Sequence, residues 1–397
     1  MRNAVIVDIV RTASGKGKPG GAFSGTHPVD LLAGVLEQLV TRTGIDPGTI
    51  DDVIAGCVGQ AGEQALNIGR QAVLGAGWPD TVPSTTIDRQ CGSSQQATHF
   101  AAQGVMAGAY DIVVACGVES MSRVPMGTPA MGQDPLGSKV HARYPDGLVN
   151  QGVSAELIAE KWKLTRDELD EFSARSHRLA AAAIHDGRMA GEIVPVPIRN
   201  VDGTVLDFVL DETVRAGTTT EGLASLRSSF ATEEMRQRFP ELDWKITPGN
   251  SSPLTDGASG ALIMAEEVAE RLGLTPRARF HAFAVAGDDP VLMLTAPIPA
   301  TQQVLARAGL SIDDIDVYEV NEAFAPVPLV WLRELNADPE RLNPRGGAIA
   351  LGHPLGASGT RVMTTMLNEL EATGGRYGLQ TMCEGNGQAN ATIIERL

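Results

Sequence analysis

The chain has 397 residues, more than one hydrophobic core organises, so two or three domains are expected. Apolar residues at 43% and charged residues at 20% are the proportions of a globular protein that folds throughout, with no low-complexity tract. A formal net charge of −16 sets the chain against nucleic acid and anionic membranes as partners, while leaving room for a local basic site for a phosphorylated ligand.

The N-terminal stretch AVIVDIV is too short to span a membrane and lacks a signal peptide's cleavage site, so it reads as the first strand of a cytoplasmic protein. Strand-like runs at 4–10, 51–57, 84–88 and 111–117 alternate with helical patterns at 30–42 and 93–107, the rhythm of an α/β fold. Asp30 is a candidate cap for the first helix, and Gly44 and Gly108 stand where left-handed residues end helices. Gly15 to Gly20 spell GxGxxG after the first strand, but Pro19 and Gly21 leave no helix there to hold a pyrophosphate.

From about Ser122 to Ser252 the periodicity breaks around scattered prolines and glycines, apart from one long helix announced by the capping pattern Thr165–Arg166–Asp167–Glu168. This stretch reads as an inserted loop domain. The last third repeats the α/β rhythm: strands at 278–287, 315–321, 377–383 and 390–397, and helices near 299–308, from Glu322 and across 357–371. A duplicated unit is the simplest account of that return, although the halves share little sequence.

The four cysteines, Cys57, Cys91, Cys116 and Cys383, contain no CxxC pair, which suits a reducing compartment and argues against structural zinc. His27, His99, His141, His177, His185 and His281 have no ligand-like spacing and read as surface or hydrogen-bonded side chains.

Four segments could carry chemistry. Cys91 falls between a strand and a helix whose first amides would favour its thiolate, the bland alternative being a small buried hydrophobe. His353 lies in the glycine-crowded run 343–361, followed by Pro354 in a setting that would hold an imidazole at a fixed angle. Cys383 ends a strand, with Gly385 and Gly387 freeing amides beside it. Asn321 and Glu322 put a polar pair at the carboxyl end of a strand, where ligand contacts gather in α/β proteins, unless Asn321 only caps the next helix. No P-loop lysine and no GxSxG elbow compete with these.

Together the segments resemble the thiolase family: RQCGS around Cys91, NEAFA at 321–325, GGAIALGHPLGASG at 346–359 and C-x-G-x-G at 383–387, in the family's order. The likeness extends to 62–70, 116–123 and 249–258 and so covers essentially the whole chain. It implies two similar α/β halves in a five-layered αβαβα arrangement: residues 1–121 with 253–273 returning to them, a CoA-binding loop domain over 122–252, and a C-terminal half over 274–397.

The resemblance further implies that Cys91 is the acylated nucleophile, His353 its base and Cys383 the second acid/base. Oxyanion sites would be made by His353 with a water on Asn321, and by the amides of Cys91 and Gly385. It points to Arg215 at the adenine and Ser252 along the pantetheine of CoA, which is a substrate, with no cofactor. CoA and acyl-CoA are the implied partners, and a homodimer or homotetramer the implied assembly. The implied reaction is cleavage of 3-ketoacyl-CoA by CoA in fatty-acid or steroid side-chain degradation. The biosynthetic condensation to acetoacetyl-CoA and a non-catalytic acyl-CoA-binding protein are the alternatives.

Two departures matter. The family commonly has CxGGGxG where this chain reads Cys383–Glu384–Gly385–Asn386–Gly387–Gln388–Ala389, and a His-Met-Gly segment of the short-chain biosynthetic enzymes is replaced by Asn150–Gln151–Gly152. The second suggests a bulkier or branched acyl group. The Cys91–Ala97 run and Gly62–Gln64 share that likeness to bacterial thiolases of steroid side-chain degradation.

Overall fold

The computed structural model describes residues 2–199 and 203–397. Five strands, β1 (Ala4–Thr12), β2 (Asp52–Gly56), β3 (Ser84–Ile87), β4 (Ile112–Ser120) and β5 (Thr255–Ala265), make one half of a mixed sheet. Four more, β6 (Ala278–Gly287), β7 (Val317–Val320), β8 (Tyr377–Glu384) and β9 (Gln388–Arg396), make the other. The order is β3-β2-β4-β5-β1-β6-β9-β8-β7, and the halves join antiparallel through Val5 with Arg279 and Ile6 with Ala278.

Outward from that join, each half runs first strand, last strand, last but one, then second. The pairings agree as well: β4 lies parallel to β2 and antiparallel to β5, as β8 lies parallel to β7 and antiparallel to β9. The third strand of the first half has only a stub in the second, Leu342 bridged in parallel to Tyr318. The duplication suggested by rhythm is therefore one of topology.

Helices α1 (Pro28–Thr43) and α2 (Ile68–Gly75) cover the outer face of the first half, and α6 (Pro297–Ala308) that of the second, where it lies on β6 and β9. Between the halves run α3 (Ser93–Ala107) and α8 (Ser358–Thr373), buried nearly all round as helices sandwiched between the two halves of the sheet must be. Their approach is close enough to require glycine: a methyl group on Gly359 would sit 2.0 Å from the backbone nitrogen of Gln95. Thr360 N donates to Ser94 Oγ at 3.0 Å, locking the starts of the two helices together.

The caps of α1 and α3 are the left-handed Gly44 and Gly108, as expected. At the start of α1, however, the side chain of His27 caps Val29 N and Pro28 occupies the first turn, so Asp30 contributes only its charge. The Thr165–Glu168 capping box forms and opens α5 (Arg166–His185). The helix expected from Glu322 begins only at Pro326, as α7 (Pro326–Leu335), because 321–325 take an irregular path.

The connection from β4 to β5 carries α4 (Gln151–Lys161), α5 and a small ribbon, Val196–Arg199 paired with Val205–Phe208, whereas the corresponding turn in the second half is Gly385–Gly387. A buried ion cluster anchors this excursion: Arg11 on β1 donates to Glu192 (2.8 Å) and Asp211 (2.7 Å), with all three side chains inaccessible. Among the described residues, no helix is long and apolar enough to cross a membrane.

Candidate active site

Cys91 stands at the start of α3, after Gln90, whose left-handed backbone (φ 47°) turns the chain sharply out of β3. The thiol is 4% exposed, the most accessible of four buried cysteines. It meets the side chain of Gln151 and its own backbone amide, both of which favour the thiolate. Burial, with the charge of Glu384 behind it, nevertheless pushes the thiol up to about 12. The helix-start argument for a ready thiolate is thus outweighed by desolvation in the free protein.

His353 projects from the turn before α8. Its Nδ1 lies 2.6 Å from Ser358 Oγ, and that hydroxyl gives its single proton to Pro354 O at 2.9 Å. Ser358 must then accept from Nδ1–H, which leaves Nε2 bare as an acceptor. Burial, then the positive charge of Arg361, lowers the imidazole to about 3, so the ring is a neutral base at working pH. Backbone bonds fix it further: His353 N donates to Thr255 Oγ1 (3.0 Å), and Gly356 N to Glu119 Oε2 (2.9 Å).

Asn321 reaches Nε2 with its amide nitrogen at 3.4 Å, and its buried Oδ1 has no partner in the protein, which is where a water would be held. The irregular 321–325 path explains this freedom, since Asn321 caps nothing. Glu322 beside it is structural: its carboxylate accepts from Asn343, Ser176 and Ile349 N.

Cys383, at the end of β8, pairs with Ala389 across the hairpin. Burial raises its thiol well above the ordinary range, and the next largest cause is Cys91 itself, so the two sulfurs are neighbours. The hairpin turn uses Asn386 and Gly387 in left-handed conformation (φ 64° and 76°), the Asn-Gly chemistry of a tight turn. Asparagine in place of glycine there leaves the turn intact. Gly385 packs on Gln90, where an added methyl would lie 2.9 Å from Oε1.

Cys91, Cys383 and Gly385 thus come together around the start of α3, and Asn321 and His353 meet just before α8, whose start is bonded to that of α3. Ser252 borders them, its amide donating to Ala323 O at 3.0 Å. Arg215 lies apart, exposed, with its amide held by His177 Nδ1. Sequence reading missed Ser358, which fixes the imidazole tautomer, and the reach of Gln151. The latter was legible in principle, because Asn150 is an obvious cap (Val153 N to Oδ1, 3.0 Å) that puts Gln151 in the first turn of α4. Among the described residues no group of three or more His, Cys, Asp or Glu is arranged to hold a metal.

The architecture is that of acyl-transferring enzymes built from two α/β halves, and comparison with known proteins gives the family. Residues 4–267 match the thiolase N-terminal domain and 274–396 the thiolase C-terminal domain, so the chain belongs to the thiolase family and is an acyltransferase. It is 49% identical to the steroid 3-ketoacyl-CoA thiolase FadA6 of Mycobacterium tuberculosis, over 100% of this chain and 95% of that one. It is 44% identical to a 3-ketoacyl-CoA thiolase of Vibrio vulnificus over the full length of both. The acetyl-CoA acetyltransferase of Bacillus anthracis superposes with a TM-score of 0.89 at 38% identity, over 100% and 99% of the two chains.

Proposed function

We propose that this thiolase works in the degradative direction, cleaving 3-ketoacyl-CoA with CoA to acetyl-CoA or propionyl-CoA and a shortened acyl-CoA. The observation that carries the reading is the unprotonated Nε2 of a neutral His353, together with two buried thiols, Cys91 and Cys383, of which one feels the charge of the other. His353 takes the proton of Cys91 as the sulfur attacks the 3-keto carbon. The C2–C3 bond then breaks, the acyl group stays on Cys91, and the enolate of the leaving CoA ester takes a proton from Cys383. CoA, giving its thiol proton back to Cys383, attacks the acyl-enzyme, and Cys91 recovers its proton from His353. Oxyanions would be met by protonated Nε2 with a water on Asn321, and by the amides of Cys91 and Gly385.

Residues 122–252 would form the CoA-binding domain, with Ser252 along the pantetheine and Arg215 against the adenine. The exposure of Arg215 suits contact with a solvent-facing nucleotide. We read the protein as a cytoplasmic homodimer or homotetramer that needs no cofactor beyond its CoA substrates.

The acyl group favoured is bulky or branched, as in a steroid fragment. Supporting this is the 620 Å³ cleft in which Tyr144, Pro145, Phe239 and Val291 give apolar walls and Arg143, Asp146 and Arg238 charged ones. It adjoins α4, whose Ser154 Oγ holds Val291 O at 2.7 Å, one turn from Gln151. Mixing enzyme, CoA and a series of 3-ketoacyl-CoAs while following loss of the substrate enolate absorbance tests both claims. Turnover that peaks at bulky acyl groups supports them, a peak at acetoacetyl-CoA removes the bulky-substrate claim, and no turnover removes the reaction.

A further inference from the structure

One titratable group at this site is left without a task. Glu384 follows Cys383 on β8 and is wholly buried, yet neither carboxyl oxygen has a partner in the protein. The carboxyl presses on the start of α3: a methyl group on Gly92 would lie 2.1 Å from Oε1, and 2.7 and 2.9 Å from the amide atoms of Asn390. Asn390 gives its Nδ2 to Gly92 O at 2.9 Å, while its own Oδ1 is likewise buried without a donor. A carboxylate here would face an unpaired acceptor, whereas a carboxylic acid has in Asn390 Oδ1 an acceptor waiting.

The charged neighbours do not reverse that preference. In the turn before α3, Arg89 favours ionisation and Asp88 opposes it. Arg89 is also engaged elsewhere, donating to Gln388 Oε1 at 3.3 Å. Cys383 on the same strand and Cys91 both feel the charge of Glu384 as a like charge to their thiolates, and β9 contributes the uncharged Gln388 and Asn390. Burial holds the carboxyl protonated up to about pH 8.

We infer that Glu384 is a positioning residue that governs the nucleophile: kept as a neutral acid in the working enzyme, it loses its proton to solvent in alkali and the resulting charge suppresses the thiolate of Cys91. The device rests on Cys91 being the nucleophile. It slows the gain in reactivity with pH that an unassisted thiol would show above about pH 8, and it spares the site an unpaired charge while the acyl group is transferred.

The test is the rate of iodoacetamide alkylation of Cys91, followed by peptide mapping between about pH 6 and pH 10, in wild type, Glu384→Gln and Glu384→Leu. The amide keeps the shape and removes the charge, and the leucine guards against an effect of the amide itself. Expected is a wild-type rate whose rise with pH flattens above about pH 8, and in both variants a rate that coincides with wild type near pH 6 but keeps rising and exceeds it toward pH 10. Identical curves in all three proteins would overturn the inference while leaving Cys91 as the reactive thiol. Labelling that begins at another cysteine would instead overturn the assignment of the nucleophile.

Discussion

Burial pushes the thiols of Cys91 and Cys383 above their ordinary range and holds the imidazole of His353 neutral. In the resting protein all three groups are therefore neutral, and in the proposed mechanism the proton moves as a substrate carbonyl arrives to use it. Iodoacetamide is expected to modify Cys91 before Cys57, Cys116 or Cys383, since it is the most exposed of the four, but slowly at neutral pH and faster as pH rises. Peptide mapping decides the order. Ser358→Ala removes the acceptor that fixes the tautomer of His353 and should lower kcat about tenfold with little change in KM, the worth of one hydrogen bond. Steady-state kinetics with a good substrate measure that split.

Glu384 also makes a stability prediction with a definite sign. Its folded-state ionisation lies near pH 8, far above that of an exposed glutamate at about 4.3. Below the lower value folding costs nothing at this site. As pH rises between the two, the unfolded chain alone releases the proton and stability falls. Glu384→Gln should therefore raise Tm at pH 8 and above, with the advantage shrinking toward pH 5. Thermal melts across that range read it directly.

Among the elements, the strands and the two central helices were legible because their signals are local: apolar runs bounded by turn residues, and glycine after each helix. The misses share a different cause. Pro28 and His27 start α1 ahead of Asp30 because proline pre-sets the first turn. The path of 321–325 is dictated by contacts from distant segments, as Ser252 N to Ala323 O and Ala325 N to Asn250 O show, which no local window contains. Gln151 was marked only for its bearing on the acyl group, and its contact with the thiol escaped notice for the same reason, since Cys91 lies 60 positions earlier in the chain. Two substitutions probe the inter-element contacts. Gly359→Ala, which forces α8 off α3, should cost about 1–3 kcal/mol in denaturant unfolding. Arg11→Met strands Glu192 and Asp211 as buried charges and should cost about 3–5 kcal/mol.

For the whole molecule, duplication places the site. The first half offers Cys91 at the start of α3 and the second offers Cys383 at the end of β8 and His353 before α8, so neither half holds these residues alone. The motif set pointed to this family because such a meeting demands special residues at each approach: glycine where α8 crosses α3, asparagine and glycine in the hairpin beside Cys383. Substrate size was less legible, since the 620 Å³ cleft is assembled from three separated stretches around 144, 239 and 291. The central claim is the division of labour between the two cysteines, and trapping the intermediate tests it most directly. Enzyme mixed with a 3-ketoacyl-CoA in the absence of free CoA, quenched and digested, should show by mass spectrometry the acyl adduct on the peptide carrying Cys91. Cys383→Ala should still form that adduct, more slowly. An adduct on Cys383 in wild type, or none on either cysteine under conditions of turnover, would contradict the account.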